Sequence, residues 1–405
     1  MHMKLLAYKD HVPRWVLVVV GVFTTTFLFL AATSNLPFGS STNLHKFYCH
    51  GRAMTPQDAA SGLYATWAGG DGKQRKKEFN THVAVDVSEV ESIQHFEFAA
   101  DDNNSDGDEA RVLALTPMIN EADAKGLPEY FKRLGDLHYS HDRIDIGILV
   151  PAGEQYSSLR KAVRAAADAV QESKRPFRSL RVVTKSLDGS DSNGCRNGED
   201  AKARNYLVAA TLLPSHVYVL WHDVNLVDAP ATLIEDLIRA NADIATPNTW
   251  AKGATAAAGG PEGGDYRAWT ESPAGSKLAL GLPKDTIIPA GDRGRTYETD
   301  RTYLAVQGQN VLDADKANPD NDKNVDEEVL FAQVPLDAVG TAALLVRADV
   351  HRTGIVFPWF SFENQCGSEG FGKMARRAGY NILGLPNYIV WTGTATTDSA
   401  ADKTE

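Results

Sequence analysis

Asp223-Val224-Asn225 closes the apolar run VYVLW (217–221) and His222, and a new helical stretch starts near Pro230. Two oxygen donors, one residue apart just past a sheet edge, can hold a divalent cation against a diphosphate. The second donor here is an amide, so the pair carries one negative charge fewer than two acids would. His222 is adjacent, but successive residues of a strand face opposite ways, which puts its imidazole behind the sheet. Arg204 offers a planar guanidinium able to grip a diphosphate bidentately, or to close an ordinary surface ion pair. Thr116 and Pro117 end a strand where backbone groups can meet a nucleotide. Glu121 nearby can accept from a base or ribose, or simply face water. Asp337, Glu363 and Glu369 are carboxylates of the kind that orient or deprotonate an attacking hydroxyl, though a loop acid often does no more than solvate its loop.

Trp250, Trp269, Trp359 and Trp391 present faces suited to a sugar's C–H surface, with core packing the competing use. His138 and His141 have an H-x-x-H spacing without a third ligand. The acidic run 313–328 has some features of a calcium loop but lacks the required glycine and closing glutamate. No Ser-His-Asp set, P-loop or G-x-G-x-x-G supports a hydrolase, kinase or dehydrogenase. A net charge of −11 without a basic stripe excludes nucleic acid as a partner. The three cysteines, Cys49, Cys195 and Cys366, share no metal-ligand spacing, and three cannot all pair within one chain.

Strands must place these groups. The β-branched, apolar runs 111–116, 144–150, 180–184 and 217–221 alternate with helical stretches 126–137, 155–173 and 199–213, and a further helix covers about 229–241. Segments 242–247, 341–347 and 381–386 read as later strands, with a helix over 368–378 between the last two. The alternation predicts an α/β domain, a mostly parallel sheet flanked by helices, with ligands at the carboxyl ends of the strands. Residues 251–336, rich in Gly, Ala and Pro, read as a loop-rich, solvated insertion.

Ahead of the domain, Trp15–Ala32 is an 18-residue stretch without a charge, long enough to span a hydrocarbon core of about 30 Å. Lys4, Lys9 and Arg14 precede it, which leaves the tail 1–14 cytosolic and the rest on the other side. A cleaved signal peptide is the alternative. The division is therefore a tail (1–14), a signal-anchor (15–33), a lumenal stem (34–110), the α/β domain (111–392) and a disordered end (393–405). Asn103-Asn104-Ser105 is a glycosylation sequon within the stem's acidic stretch.

Several long segments, in order, resemble the fungal Golgi mannosyltransferases of glycosyltransferase family 62, the mannan polymerase subunits. They are RVLALTP (111–117), AKARNYLVAATL (201–212), VLWHDVNLVDAPATLIEDLI (219–238), DYRAWTES (265–272), PLDAVGTAALLVRADVHRTGIVFP (335–358) and FSFENQCGSEGFGKMARRAGYNILGLPNYIVW (360–391). The resemblance implies a GT-A fold and α-1,6-mannosyl transfer from GDP-mannose to a mannan or N-glycan acceptor, with retention. It also implies Mn²⁺ held by Asp223 and Asn225, donor binding through Thr116, Pro117, Glu121, Arg204, Asn205 and Asp223, and an acceptor side with Asp337, Glu363 and Glu369. The implied setting is the Golgi membrane, as a single-pass type II protein with the other subunits of a mannan polymerase. Three positions depart from the family pattern. Asn225 stands for its second acid, Thr392 for its metal-binding His, and Pro151-Ala152-Gly153 for a Ser- and Asp-rich turn. A non-catalytic subunit, or a lectin-like mannan binder, is the alternative these departures raise.

Overall fold

A computed structural model describes residues 47–49, 52–54, 92–97, 110–171, 176–187, 195, 198–255, 261–308 and 327–393. The signal-anchor, the acidic run 313–326, the sequon and the tail from 394 lie outside the described residues. Among those described, no helix is long and apolar enough to cross a membrane. The chain divides into two units, 1–67 and 68–405. Within the first, β1 (Phe47–Cys49) and β2 (Arg52–Met54) pair antiparallel.

The second unit is built on one eleven-stranded sheet. Its middle consists of β4 (Val112–Pro117), β5 (Ile144–Pro151), β6 (Ser179–Lys185) and β7 (Tyr218–His222), in the order β7-β4-β5-β6 and all parallel. These are the four apolar runs read from the sequence, displaced by no more than one residue at either end. They are apolar throughout because helices cover both faces. Along β4, Val112 and Ala114 enter one core cluster while Leu113 and Leu115 enter the other, as a period of two demands. The first cluster packs under α1 (Leu127–Asp136), α2 (Ser157–Gln171) and α4 (Leu233–Arg239). The second packs under α3 (Gly198–Thr211), α8 (Ala348–Arg352) and α9 (Gly367–Arg377).

Beyond β7 the sheet is mixed, a correction to the mostly parallel expectation. β14 (Ala343–Arg347) runs antiparallel between β7 and β9 (Ile244–Thr255). The long β15 (Ile382–Thr392) then lies parallel to β9. Two short strands, β8 (Leu226–Asp228) and β13 (Val334–Pro335), pair with β15. Strand direction has no local signature, because an apolar run reads alike both ways.

Two further expectations change. The stem contributes a sheet strand: β3 (Ser92–Glu97) pairs antiparallel with β6 and buries Phe96. The insertion is also not simply solvated. It pairs β10 (Glu262–Gly264) with β9, pairs β11 (Trp269–Thr270) with β12 (Thr302–Tyr303), and carries α5 (Pro273–Gly281), α6 (Leu304–Gln307) and α7 (Glu327–Leu330). Trp269, Ile288, Leu304 and Ala305 are buried there.

The amino ends of the parallel strands are tied by one carboxylate. Asp145 accepts from Arg111 Nη2 (2.5 Å), is bonded to His216 Nε2 (2.9 Å) and accepts the Ser179 hydroxyl. Burial alone would raise its pKa, but His216, Arg111 and Ser179 together hold it well below the carboxylate range. These four residues sit at the starts of β4, β5, β6 and β7, so one ion cluster sets the alignment of the opposite, carboxyl edge. Cys195 and Cys366 form a disulfide.

Candidate functional site

At the carboxyl edge, β7 hands over to a turn that is held from three sides. The Asp223 N–H donates to the Ala342 carbonyl (2.8 Å), just ahead of β14. Below it, the Thr116 hydroxyl bonds the His222 carbonyl (2.5 Å) and the Tyr130 phenol (2.7 Å). From α1, Arg133 Nη2 donates to the Val224 carbonyl (2.9 Å). The Asp223 carboxylate caps its own turn by accepting the Asn225 N–H (2.8 Å). Asp223 is half-buried and Asn225 exposed.

His222 points away from this edge, as strand alternation requires. It is buried and packs edge-on to the Tyr130 ring at 5.3 Å. Burial, helped by the charge of Arg133, pushes its pKa down to about 3, so the ring is neutral. Thr392 does reach the turn, since β15 pairs it with Leu226 and the Gly393 N–H donates to the Asn225 carbonyl (2.9 Å). Its hydroxyl, however, is directed to the Trp250 carbonyl (3.4 Å).

The expected donor residues have mixed fates. Thr116 is fully buried and acts as a strut beneath the turn, Pro117 is partly covered, and Glu121 is exposed. Arg204 is buried, donates Nε to Asp200 (2.9 Å) and lies over the rings of Trp221 (5.3 Å) and Phe357 (5.7 Å). Asn205 clasps the backbone of Phe357. Its amide donates to the Phe357 carbonyl (2.8 Å) and accepts the Phe357 N–H (2.9 Å).

The acceptor-side acids each have partners of their own, and Glu369 is within electrostatic reach of Arg267. Leu336 bonds to Ile382, the first residue of β15, and Ile382 pairs with Ile244 at the start of β9. Asp337 follows Leu336 at this amino edge, where its N–H bonds to the Trp269 carbonyl (2.9 Å). There it accepts the Glu271 N–H (2.7 Å) and faces Arg376 (3.3 Å). Glu363, at a positive φ of 51°, is paired with Arg377. Glu369 is buried in a charged knot around Trp269. It accepts the indole N–H (2.5 Å), while Arg301 covers that ring at 3.6 Å. Beside it, Glu271 binds Arg301 through both oxygens (3.0 and 3.1 Å) and Lys373 (2.8 Å). Burial pushes the Glu369 pKa up to about 7. Trp250 and Trp269 are fully buried, so core packing takes both.

What the sequence reading did not single out is the pair Asp265 and Arg267, inside the segment quoted as DYRAWTES. Asp265 accepts Arg267 Nε (2.8 Å), Nη2 (2.9 Å) and the Arg267 backbone N–H (3.0 Å). A Cβ placed on Gly340 would fall 2.1 Å from Asp265 Oδ2. The pair thus lies against the backbone two residues before the Ala342 carbonyl that receives the Asp223 N–H. The charge of Asp265 outweighs burial and, with smaller contributions from Asp223 and Asp200, holds the guanidinium above its ordinary value. The available signal was an acid and a base two residues apart beside Trp269.

The manganese expectation meets a thin donor set. The turn provides one carboxylate, already accepting an N–H, and one neutral amide. Among the described residues no three His, Cys, Asp or Glu side chains gather as metal ligands. A hard divalent cation set against a diphosphate can be held by one or two protein carboxylates, with phosphate oxygens and waters completing its shell, so Asp223 with the Asn225 amide would be the residues to hold such an ion.

With this geometry in hand, similarity to known proteins is specific. The Anp1 family model matches residues 90–361. A mannan polymerase complex subunit, MNN9, of Candida albicans is 34% identical over 294 residues, covering 69% of this chain and 74% of that protein. The mnn9 subunit of Schizosaccharomyces pombe is 32% identical over 293 residues, 69% of this chain and 79% of that one. Among solved structures, the mannosyltransferase PcManGT of Pyrobaculum calidifontis, in complex with GDP-Man and Mn²⁺, aligns with a TM-score of 0.39 and 12% identity over 85% of this chain and 68% of that one. That likeness is too remote to carry functional weight. The sequence match is not, and the chain belongs to the Anp1 family, that of the mannan polymerase subunits its segments resemble.

Proposed function

We propose that this chain is a mannosyltransferase with a GT-A-like domain, moving mannose from GDP-mannose to an α-1,6-mannan or N-glycan acceptor with retention of configuration. The observation that carries the reading is the Asp223-Val224-Asn225 turn, held at the carboxyl edge of the sheet in a member of the Anp1 family. Ligands of open α/β sheets bind at that edge. Asp223 orients the donor there, and the Arg204 and Arg267 guanidinium groups face the charge that develops on the leaving diphosphate. Asp265 is the carboxylate beside the transferred sugar.

The names of the relatives point to a place among the subunits of a mannan polymerase. The apolar stretch 15–32 supports a single-pass type II arrangement in the Golgi membrane. The Cys195–Cys366 disulfide agrees with a lumenal, oxidising compartment. A second reading, a subunit that keeps the fold without transfer, draws on the loss of the second acid at Asn225 and the imidazole at Thr392.

Calorimetric titration of the full-length protein with GDP-mannose decides between them. The transferase reading expects saturable binding that Asp223→Ala weakens at least about tenfold, or ~1.4 kcal/mol. A folded protein that takes up no donor at millimolar concentration sinks it and leaves the structural subunit.

A further inference from the structure

Among the described residues of the second unit, aromatic rings are buried or partly covered, with two exceptions. Tyr206 and Phe360 keep 46% and 37% of their surface exposed. Both lie on one strip. Phe360 stands edge-on to the half-buried Trp359 ring (5.9 Å), and the Lys202 ammonium lies 4.9 Å over that indole. One turn further along α3, Tyr206 shares a helix face with Lys202, and the Lys185 ammonium lies 4.7 Å over its ring. Lys185 is the last residue of β6. The strip therefore starts at the carboxyl edge, where the transferase reading places the donor, and crosses α3 to the segment 357–361.

The exposed Phe360 is held in place from both sides. Ahead of it, Asn205 clasps both backbone groups of Phe357 (2.8 and 2.9 Å), and the Pro358 carbonyl accepts the Gly367 N–H (2.7 Å). Behind it, the Ser361 hydroxyl bonds the Lys284 and Thr286 carbonyls (2.6 and 3.2 Å). A face ordered in advance loses little freedom when a ligand lands on it. The cations narrow the kind of ligand. Cores of protein interfaces are rich in aromatics but poor in Lys, whereas here a lysine stands on each of two rings. An exposed cation–π contact is worth only about 0.5–1 kcal/mol, so an ammonium can turn from its ring to a new acceptor. Rings for apolar C–H faces and ammonium donors for hydroxyls together suit a sugar chain.

We propose that Tyr206, Trp359 and Phe360 form a platform for an oligosaccharide, the sugar units of the acceptor chain behind the one that reacts. The C–H faces of those units lie on the rings, and Lys185 and Lys202 donate to their hydroxyls. The acceptor role rests on the transferase reading, while the glycan contact itself does not.

The test is calorimetric titration of the full-length protein with α-1,6-linked mannose oligomers of increasing length, in the presence of GDP, repeated for Phe360→Ala, Tyr206→Ala and the double variant. Affinity should rise with chain length. Each single variant should weaken the longest oligomer at least about fivefold, and the double variant further. Both rings are exposed, so unfolding midpoints should match wild type. GDP-mannose titration of the same samples separates this proposal from the transferase reading. Oligomer binding that survives both substitutions, or absent oligomer binding beside intact donor uptake, overturns the platform and leaves the transferase. Ring-dependent oligomer binding without donor uptake keeps the platform and removes the transferase, leaving a mannan binder. Sedimentation velocity covers the remaining use of such a face. Self-association that the double variant abolishes, with no oligomer bound, assigns the strip to a protein contact and overturns the proposal.

Discussion

Glu369 shows how a single side chain can carry a pH dependence through its burial. It is 1% exposed. Burial lifts its pKa from 4.5 to about 7, against the opposing influence of the Trp269 N–H, Arg301, the Gly291 N–H and Arg267. The folded state therefore holds this proton more tightly than the unfolded chain does. Between the two values the native protein binds the extra proton, so stability falls as pH rises through the window and the deficit is complete above about 7. Glu369→Gln keeps an oxygen for the indole N–H and has nothing to titrate. Urea midpoints for the two proteins should diverge from about pH 5 to 7.5, the variant gaining on the order of 2 kcal/mol over wild type at the upper end. A difference that stays flat with pH would show that Glu369 ionises normally. At this scale the sequence was an uneven guide. Asp223 was legible because an apolar run must stop where its strand leaves the sheet. The place of Asp337 was not, since its position depends on β13 pairing with the start of β15. Glu369 was legible as an acid, but not as a buried one bonded to Trp269, a partner 100 residues away.

At the scale of elements, helices and parallel strands followed from periodicity, and the pieces joined by tertiary contact did not. The turn of 223–225 depends on α1, β4 and β14, none of which is its neighbour in sequence. The disulfide is the clearest such joint. It ties the segment ahead of α3, the helix of Asp200 and Arg204, to the residue just before α9, the helix of Glu369, across a separation of 171 residues. Three cysteines in the sequence left the pairing open, and only the packing of α3 beside α9 settles it. Closing so long a loop constrains the unfolded chain, so replacing Cys195 and Cys366 together by Ser should cost about 3–5 kcal/mol. Thiol counting on the denatured, unreduced protein checks the premise. One reactive cysteine, Cys49, is expected of the three, and a count of three would dismiss the bridge.

For the whole molecule, the boundary of the folded unit decides which version of it can be studied. The change in composition near 110 suggests a domain starting at Arg111, because 101–109 holds five acids and no base. The sheet starts earlier. β3 pairs with all seven residues of β6 but the last, from Ser179 to Thr184. It also inserts Phe96, 2% exposed, into the core cluster that holds Leu180 and Val182. A chain beginning at 111 loses that phenylalanine and leaves β6 as an open edge with unpaired N–H and C=O groups, the arrangement that invites aggregation. Restoring a buried Phe to water costs about 2–3 kcal/mol before the lost strand pairing is added. The prediction is that a protein spanning 92–405 melts cooperatively, while one spanning 111–405 is less stable by about 3 kcal/mol or more and accumulates as soluble aggregate. Paired urea titrations with light scattering measure both effects. Equal midpoints and equally monomeric samples would place β3 outside the cooperative unit and return the boundary to 111. The prediction has a practical edge for function. Asp223, Asp265 and Arg267 keep their positions only while the sheet beneath them does, so donor binding should be lost with the edge strand although none of its residues touches the site.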